Sequence, residues 1–350
     1  MSRPPTRSER AAFTLIEVLV AGAIIVVMIG FLVGAMDQTT RVWSGASAKV
    51  EQFREARTGF ERVTSRLSQA TLNTYWDYDS PTKPTRYQRQ SELRFITGRA
   101  QTLLGSVPNV ARLTHAVFFN APLGVTGNTN YTGLENALNT VGYYMELADD
   151  SAQRPPFITT AMIPARWRFR LMEFFQPTEN FSLYQFTSGP GASTYTGKGW
   201  FDVDMSSVNT TALKRAVAEN VIAFVVTPRL SKAEEIPLQI NATHSPLAAN
   251  YGYDSTGTNA NPQLNPRNQL PPVVQLTMVA IDEKSAAGLS LSSSGDSEIF
   301  KISTLFSDTT KFAEDLATLE QTLATKRVKY RIFTTNVQIR AAKWSREQIK

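Results

Sequence analysis

The chain contains no cysteine and only two histidines, His115 and His244. Disulfides are therefore excluded, and a domain exported to an oxidising compartment must hold by packing or by bound ions. Without cysteine, and with its histidines far apart, zinc and copper sites lack their usual ligands. No serine sits in a G-x-S-x-G turn, and no carboxylate pair stands in an acid/base context. Gly197-Lys198-Gly199 lacks the upstream glycine spacing, the following Ser/Thr and the strand–helix frame of a phosphate loop. Asp77 with Asp79, or Asp149 with Asp150, could help to hold calcium, but neither pair has the spacing of a known calcium loop, and acids solvating turns are the simpler reading. No cofactor, metal or catalytic activity is expected.

Charge of one sign is scarce as well. The formal net charge is +6 over 350 residues, and nucleic acid is not indicated as a partner. Part of that charge lies in the first twelve residues, with Arg3, Arg7 and Arg10 against Glu9.

What the chain does have is one long apolar run, Phe13 to Met36, with Glu17 as its only charge. As a helix it would extend about 36 Å, enough to cross a hydrocarbon core of about 30 Å. The preceding arginines favour a cytoplasmic N-terminus and an external C-terminal region. A cleaved secretory signal has a shorter apolar region of about 7 to 15 residues and would not open on a glutamate. A plain single-pass anchor fits the length but leaves Glu17 unexplained, since a charge inside a membrane persists where it has a partner or a task. Gly30 and Gly34 form a G-x-x-x-G, which permits close approach of helices, although ordinary membrane glycines would look the same.

The basic leader, Ala12, then Phe13-Thr14-Leu15-Ile16-Glu17-Val18 and the apolar helix together resemble the type IV prepilin N-terminus. That resemblance implies cleavage between Ala12 and Phe13 by a prepilin peptidase and N-methylation of Phe13. It also implies a Glu17 carboxylate that pairs with the new amino group during assembly with other pilins or pseudopilins. The family usually carries glycine before the cut; alanine is the next smallest residue for that subsite. The implied location is the bacterial inner membrane, with a periplasmic head.

Beyond the membrane run, residues 37–73 contain no proline, and Phe53, Ala56, Phe60, Val63, Leu67 and Ala70 recur by threes and fours. This predicts an amphipathic continuation of the helix. A coiled coil would need more heptads, so the stripe is expected to lie against a sheet of the chain's own head. From residue 74 roughly 277 residues remain, enough for one large domain or two small ones. Residues 75–89 read as a loop. Strands are expected over 91–97, 117–120, 140–147, 157–162, 220–227, 236–240, 273–281 and 330–339, and helices over 210–219 and 306–327. Arg166 to Leu171 alternates Arg with apolar residues. A row of arginines could grip phosphates, but the aromatics fall on the opposite face, so a strand with one solvated side is expected, turning back at 176–180. Residues 188–199 and 285–297 read as loops, and 243–270 as a long excursion almost without core residues.

Ala218-Glu219-Asn220-Val221 and Leu270-Pro271-Pro272-Val273-Val274 are similar to stretches of J-type minor pseudopilins of type II secretion. Arg168 to Asn180 and Arg331 to Ser345 resemble the Verru_Chthon cassette protein C group, which is itself prepilin-like. The expected whole is α+β and pilin-like: leader 1–12, membrane helix 13–36, amphipathic helix 37–73 and a β-rich head 74–350. Its expected role is a structural minor pilin or pseudopilin. The alternative is a membrane-anchored module whose head binds a substrate, a surface or DNA.

Overall fold

A computed structural model describes residues 15–80, 82–151, 154–155, 157–158, 160, 162–183, 198–206, 213–235, 247–289, 291 and 299–345, with the backbone alone for 40–52, 203 and 206. Two compact units are present, divided between Gln52 and Phe53.

The first unit is a single described helix, α1 (Leu15–Gln52). Leu15–Thr39 is a 25-residue span of mean hydropathy 2.8, long and apolar enough by length and composition to cross a bilayer, and its side chains are exposed throughout.

The second unit opens with α2 (Arg54–Leu67). Phe53, at φ −109° and ψ 7°, leaves the helical region and separates α2 from α1. At the other end, the Ser68 N–H bonds the Thr64 carbonyl and the Gln69 N–H bonds that of Arg66, closing α2, and helix does not extend to residue 73. Then follow β1 (Tyr75–Tyr78), β2 (Tyr87–Gln90), β3 (Phe95–Arg99), α3 (Ala100–Leu104), β4 (Val110–Pro122), β5 (Leu138–Asp149), β6 (Trp167–Gln176) and α4 (Gly199–Ser206). The remainder is β7 (Leu213–Glu219), β8 (Val221–Arg229), α5 (Lys232–Glu235), β9 (Tyr253–Asp254), β10 (Val273–Ile281), α6 (Glu283–Ala287), α7 (Phe312–Thr325) and β11 (Tyr330–Gln338).

Every pairing among the described strands is antiparallel. Six strands form one sheet in the order β7-β6-β5-β4-β3-β9, three form a second in the order β11-β10-β8, and β1 with β2 makes a separate ribbon. The fold is thus α+β: an N-terminal apolar helix and a head of antiparallel sheets.

The six-stranded sheet is buried on both faces, because β5 and β6 carry large apolar side chains at odd and even positions alike. The odd face, with Tyr143, Met145, Leu147, Phe169 and Leu171, joins the three-stranded sheet and α2 in the main core. The even face, with Tyr144, Met172 and Phe174, packs under α3 and α4 through Leu103, Trp200 and Phe201. Phe118 stacks on Phe201 at 4.0 Å between ring centres. Gly142, opposite Phe118 in the register, is a requirement of that packing, since a Cβ there would lie 2.2 Å from the Phe118 ring.

The predicted stripe of α2 is core: Ala56, Phe60, Val63 and Leu67 are buried, as is Ala70 just beyond, and Phe53 is partly so. A second line of the helix, Glu55, Gly59, Arg62 and Arg66, faces β7 and β6. Gly59 brings α2 onto β7; a Cβ there would meet the Val217 carbonyl at 3.3 Å and the Ala218 side chain at 3.1 Å.

Several local expectations are corrected. Residues 213–219 form a strand where a helix was expected, because β6 offers them a ladder from Arg170 to Phe175. Residues 75–90 are a hairpin, its turn containing Pro84. Among the described residues no return strand follows β6 directly: a 3-10 turn, Thr178–Asn180, follows, and the described partners of β6 are β5 and β7. The described residues within 157–162 form no strand, with Phe157, Thr160 and Met162 in turns. The 243–270 stretch does supply core, with Leu247, Tyr251, Tyr253, Leu264 and Leu270 buried and β9 extending the sheet. Helix α7 starts at Phe312, six residues later than expected, after a 3-10 turn capped by Asp308. The expected strand 236–240 and His244 lie outside the described residues.

Candidate functional site

Ala12 and Phe13 lie outside the described residues. Glu17 stands in the first turn of α1 and is exposed. Gly30 and Gly34 fall one turn apart on the same helix face. Nothing lies within 4 Å of a Cβ placed at either, so together they form an open notch in the apolar surface.

In the head, chemistry concentrates at a carboxylate that composition and spacing did not single out. Glu173 sits in β6 with a fully buried side chain. Its Oε1 accepts from Arg62 Nε at 3.0 Å, Arg66 Nη1 at 2.6 Å and the Tyr143 hydroxyl at 2.7 Å. Its Oε2 accepts from Arg62 Nη2 at 3.2 Å and Arg215 Nε at 2.7 Å. Burial alone would raise the Glu173 carboxyl, but the hydrogen bonds from Tyr143 and Arg62, the Arg66 charge and the Arg215 contact together hold it below the usual carboxylate range. Tyr143 is driven upward, first by burial and then by the Glu173 charge, so its hydroxyl remains a donor. Arg66 also lies over the Phe175 ring at 5.1 Å. Three segments remote in sequence, α2, β6 and β7, are tied together at one point. A lone acid inside the apolar run LMEFFQ was the available signal, since a charge in a buried strand requires partners.

The opposite face of the same sheet carries a row of alternating charge. Arg112, Glu146, Arg170 and Glu219 are successive partners across β4, β5, β6 and β7. Arg170 is fully buried and donates from Nη1 to the Asp149 carbonyl at 2.9 Å. Arg168 donates to Glu219 at 3.0 Å and, through both Nη atoms, to Glu283 at 2.8 Å. The expected solvated arginine face is therefore corrected: of the three arginines only Arg166 is exposed, Arg168 is bound by Glu219 and Glu283, and Arg170 is buried with Nη1 on backbone carbonyls and Glu219 3.7 Å from its Nε. Burial raises the Glu146 carboxyl, against the opposing pull of Arg170, Arg112 and Lys214.

His115 is fully buried in β4. Its Nε2 is 2.9 Å from the Phe306 carbonyl, its Nδ1 accepts from Val226 N at 3.3 Å, and its ring lies 4.3 Å from that of Tyr251. Those partners fix a neutral ring with the proton on Nε2. Burial pushes its pKa down to about 3, so it serves as a structural link between β4, β8 and the 306 turn.

The hairpin β1–β2 stands apart from these buried centres. Trp76 pairs with Arg89 and Tyr78 with Tyr87, placing all four on one face. The Tyr78 and Tyr87 rings are 4.3 Å apart, and the Arg89 guanidinium lies 5.9 Å from the Trp76 ring. Trp76 and Tyr87 are 61% and 60% exposed, a high fraction for large aromatic side chains. The candidate calcium acids have local tasks. Asp79 accepts from Thr85 N at 2.9 Å, Asp149 from Ser151 N at 3.0 Å, and Asp150 from Arg166 N at 2.9 Å. Among the described residues no cluster of three or more acids or histidines could hold a metal ion. No family model matches this chain, and neither a curated protein nor a solved structure is significantly similar to it.

Proposed function

We propose that the chain is a structural minor pilin or pseudopilin subunit of a type II secretion or type IV pilus-like assembly, without catalytic activity. The observation that carries this reading is the 25-residue apolar helix with a single carboxylate in its first turn, immediately after Ala12-Phe13-Thr14. Prepilin peptidase would cut before Phe13 and methylate the new amino group. Anchored in the inner membrane, with its N-terminus cytoplasmic and its head periplasmic, the subunit would join other pilins through α1. There Glu17 neutralises the Phe13 ammonium in a low-dielectric setting, and the Gly30–Gly34 notch admits a neighbouring helix. The head supports this reading through an amphipathic helix packed under antiparallel sheets.

The test is the mature N-terminus. Co-expressed with a prepilin peptidase, the chain should begin at N-methylated Phe13 by mass spectrometry, and Ala12→Asp should abolish cleavage. An intact Met1 in the presence of active peptidase would remove the proposal. The alternative, an anchored binding module, draws on the exposed aromatic face of the β1–β2 hairpin; tight binding of a glycan or DNA that is lost in Trp76→Ala would favour it.

A further inference from the structure

The Glu173 centre is not neutral. Three guanidinium groups, from Arg62, Arg66 and Arg215, share one carboxylate, which leaves two positive charges uncompensated at this point. The nearby acids of α2 are otherwise engaged, Glu61 with Arg57 at 2.8 Å and Glu55 with the Glu219 N–H at 3.0 Å. Each guanidinium carries five N–H donors in a rigid fork, whereas Glu173 occupies Nε and Nη2 of Arg62, Nη1 of Arg66, and Nε and Nη2 of Arg215. No described residue accepts from Nη1 of Arg62, Nη2 of Arg66 or Nη1 of Arg215. The geometry also has an inside and an outside. Glu173 is wholly buried, while the side chains of Arg215 and Arg62 are 50% and 37% exposed and that of Arg66 18%. Spare donors from two elements, α2 and β7, thus flank one buried carboxylate that already holds their guanidinium groups, and solvent reaches all three side chains in part. Little ordering cost remains for a ligand, because the side chains are held in place before it arrives.

We propose that the outer side of this centre binds a dianionic oxyanion of the phosphate type. Two residual charges match a dianion better than a monoanion, and fork-shaped donors match oxygens set about a phosphorus or sulfur atom. Glu173 acts as the positioning residue, holding the three forks together against their mutual repulsion. The site lies in the head and is independent of how the N-terminus is processed.

The experiment uses the full chain in neutral detergent at low ionic strength, titrated with inorganic phosphate, sulfate, acetate and chloride while calorimetry and thermal melting are followed. Phosphate and sulfate should bind saturably and raise the melting temperature; acetate and chloride at matched ionic strength should not. Arg215→Gln should weaken phosphate by at least about tenfold, the scale of one charged hydrogen bond. Arg62→Gln should do the same, and Arg215→Lys, which keeps the charge but loses the fork, should lie between. Equal effects of all four anions, or unchanged phosphate affinity in folded Arg215→Gln and Arg62→Gln, would overturn the site. The same titration in phosphatidylcholine nanodiscs, with and without phosphatidic acid, separates sources. Loss of phosphate binding only with phosphatidic acid assigns the site to a lipid phosphate, and unchanged binding assigns it to a soluble one; either outcome supports the oxyanion chemistry.

Discussion

Helices α1 and α2 reverse the ordinary relation between hydrophobicity and burial. The apolar span of α1 exposes every side chain, whereas α2 has six charged residues among fourteen and buries five positions. Amount and pattern carry different information. Uniform apolarity over such a length specifies a solvent, as a bilayer would be, and asks nothing of the rest of the chain. A polar helix with a narrow apolar stripe specifies a partner surface, and its charges must then be answered one by one, as Glu173 answers Arg62 and Arg66.

The contrast can be broken most directly by the same type of truncation in both helices. Phe60→Ala should lower head stability by about 3 to 5 kcal/mol, while Ile25→Ala should leave it within about 0.5 kcal/mol. Denaturation of the full chain in detergent checks both, and equal effects would erase the distinction. Glu173→Gln sharpens the charge half of the comparison. It should cost about 2 to 3 kcal/mol, because an amide cannot answer three guanidinium groups, whereas Glu61→Gln on the exposed side should change little.

Acid provides the next test. His115 is neutral in the fold with its pKa lowered to about 3, while an unfolded chain would protonate it near 6.5. The unfolded state therefore binds more protons between those values, so this contribution is fully present above 6.5 and is lost as pH falls toward 3. Glu173, with a lowered carboxyl, adds to that loss only below about 4.5. Glu146, raised by burial, opposes it. Melting temperatures should fall from pH 6.5 to 4.5, and His115→Gln, which can keep one donor and one acceptor, should flatten that segment. A smaller effect is expected for Gly59→Ala. At 3.1 to 3.3 Å the added methyl presses on β7 and should cost about 1 kcal/mol, the low end for overpacking. Last, on the proposed role, Glu17→Val should leave head stability and membrane insertion unchanged yet abolish co-purification with the proposed partner pilins; undiminished co-purification would reject the pairing role.

Much of this architecture was legible in the sequence. The α2 stripe, the apolar span, β8, β10 and β11 followed from periodicity and length, which are local properties. The misreadings share a cause outside the segment concerned. Residues 213–219 contain good helix formers, and only the free edge of β6 makes them a strand. Arg168 and Arg170 were assigned to solvent because their acids lie 51 and 49 residues away for Glu219 and 115 away for Glu283. Tyr251 and Tyr253 stand between Asn, Gly and Asp in sequence, with no alternation to announce a strand or a core, and their partners come from β3, β4 and Asp308. At the candidate site, Arg62 and Arg66 were seen as one polar helix face, and their convergence on Glu173 across more than a hundred residues was not.

The charged row Arg112–Glu146–Arg170–Glu219 has a consequence for how the sheet assembles. Strands β5 and β6 are apolar on both faces, so greasy side chains alone would accept a shifted alignment almost as readily as the native one. A two-residue slip of β6 along β5 keeps every side chain on its face but sets Glu146 opposite Met172 or Arg168 instead of Arg170. The first leaves a carboxylate stranded among apolar groups; the second takes from Glu219 and Glu283 the cation they share. Each added strand is thereby checked against the last, and misaligned sheets are left with unmatched charge in their interior.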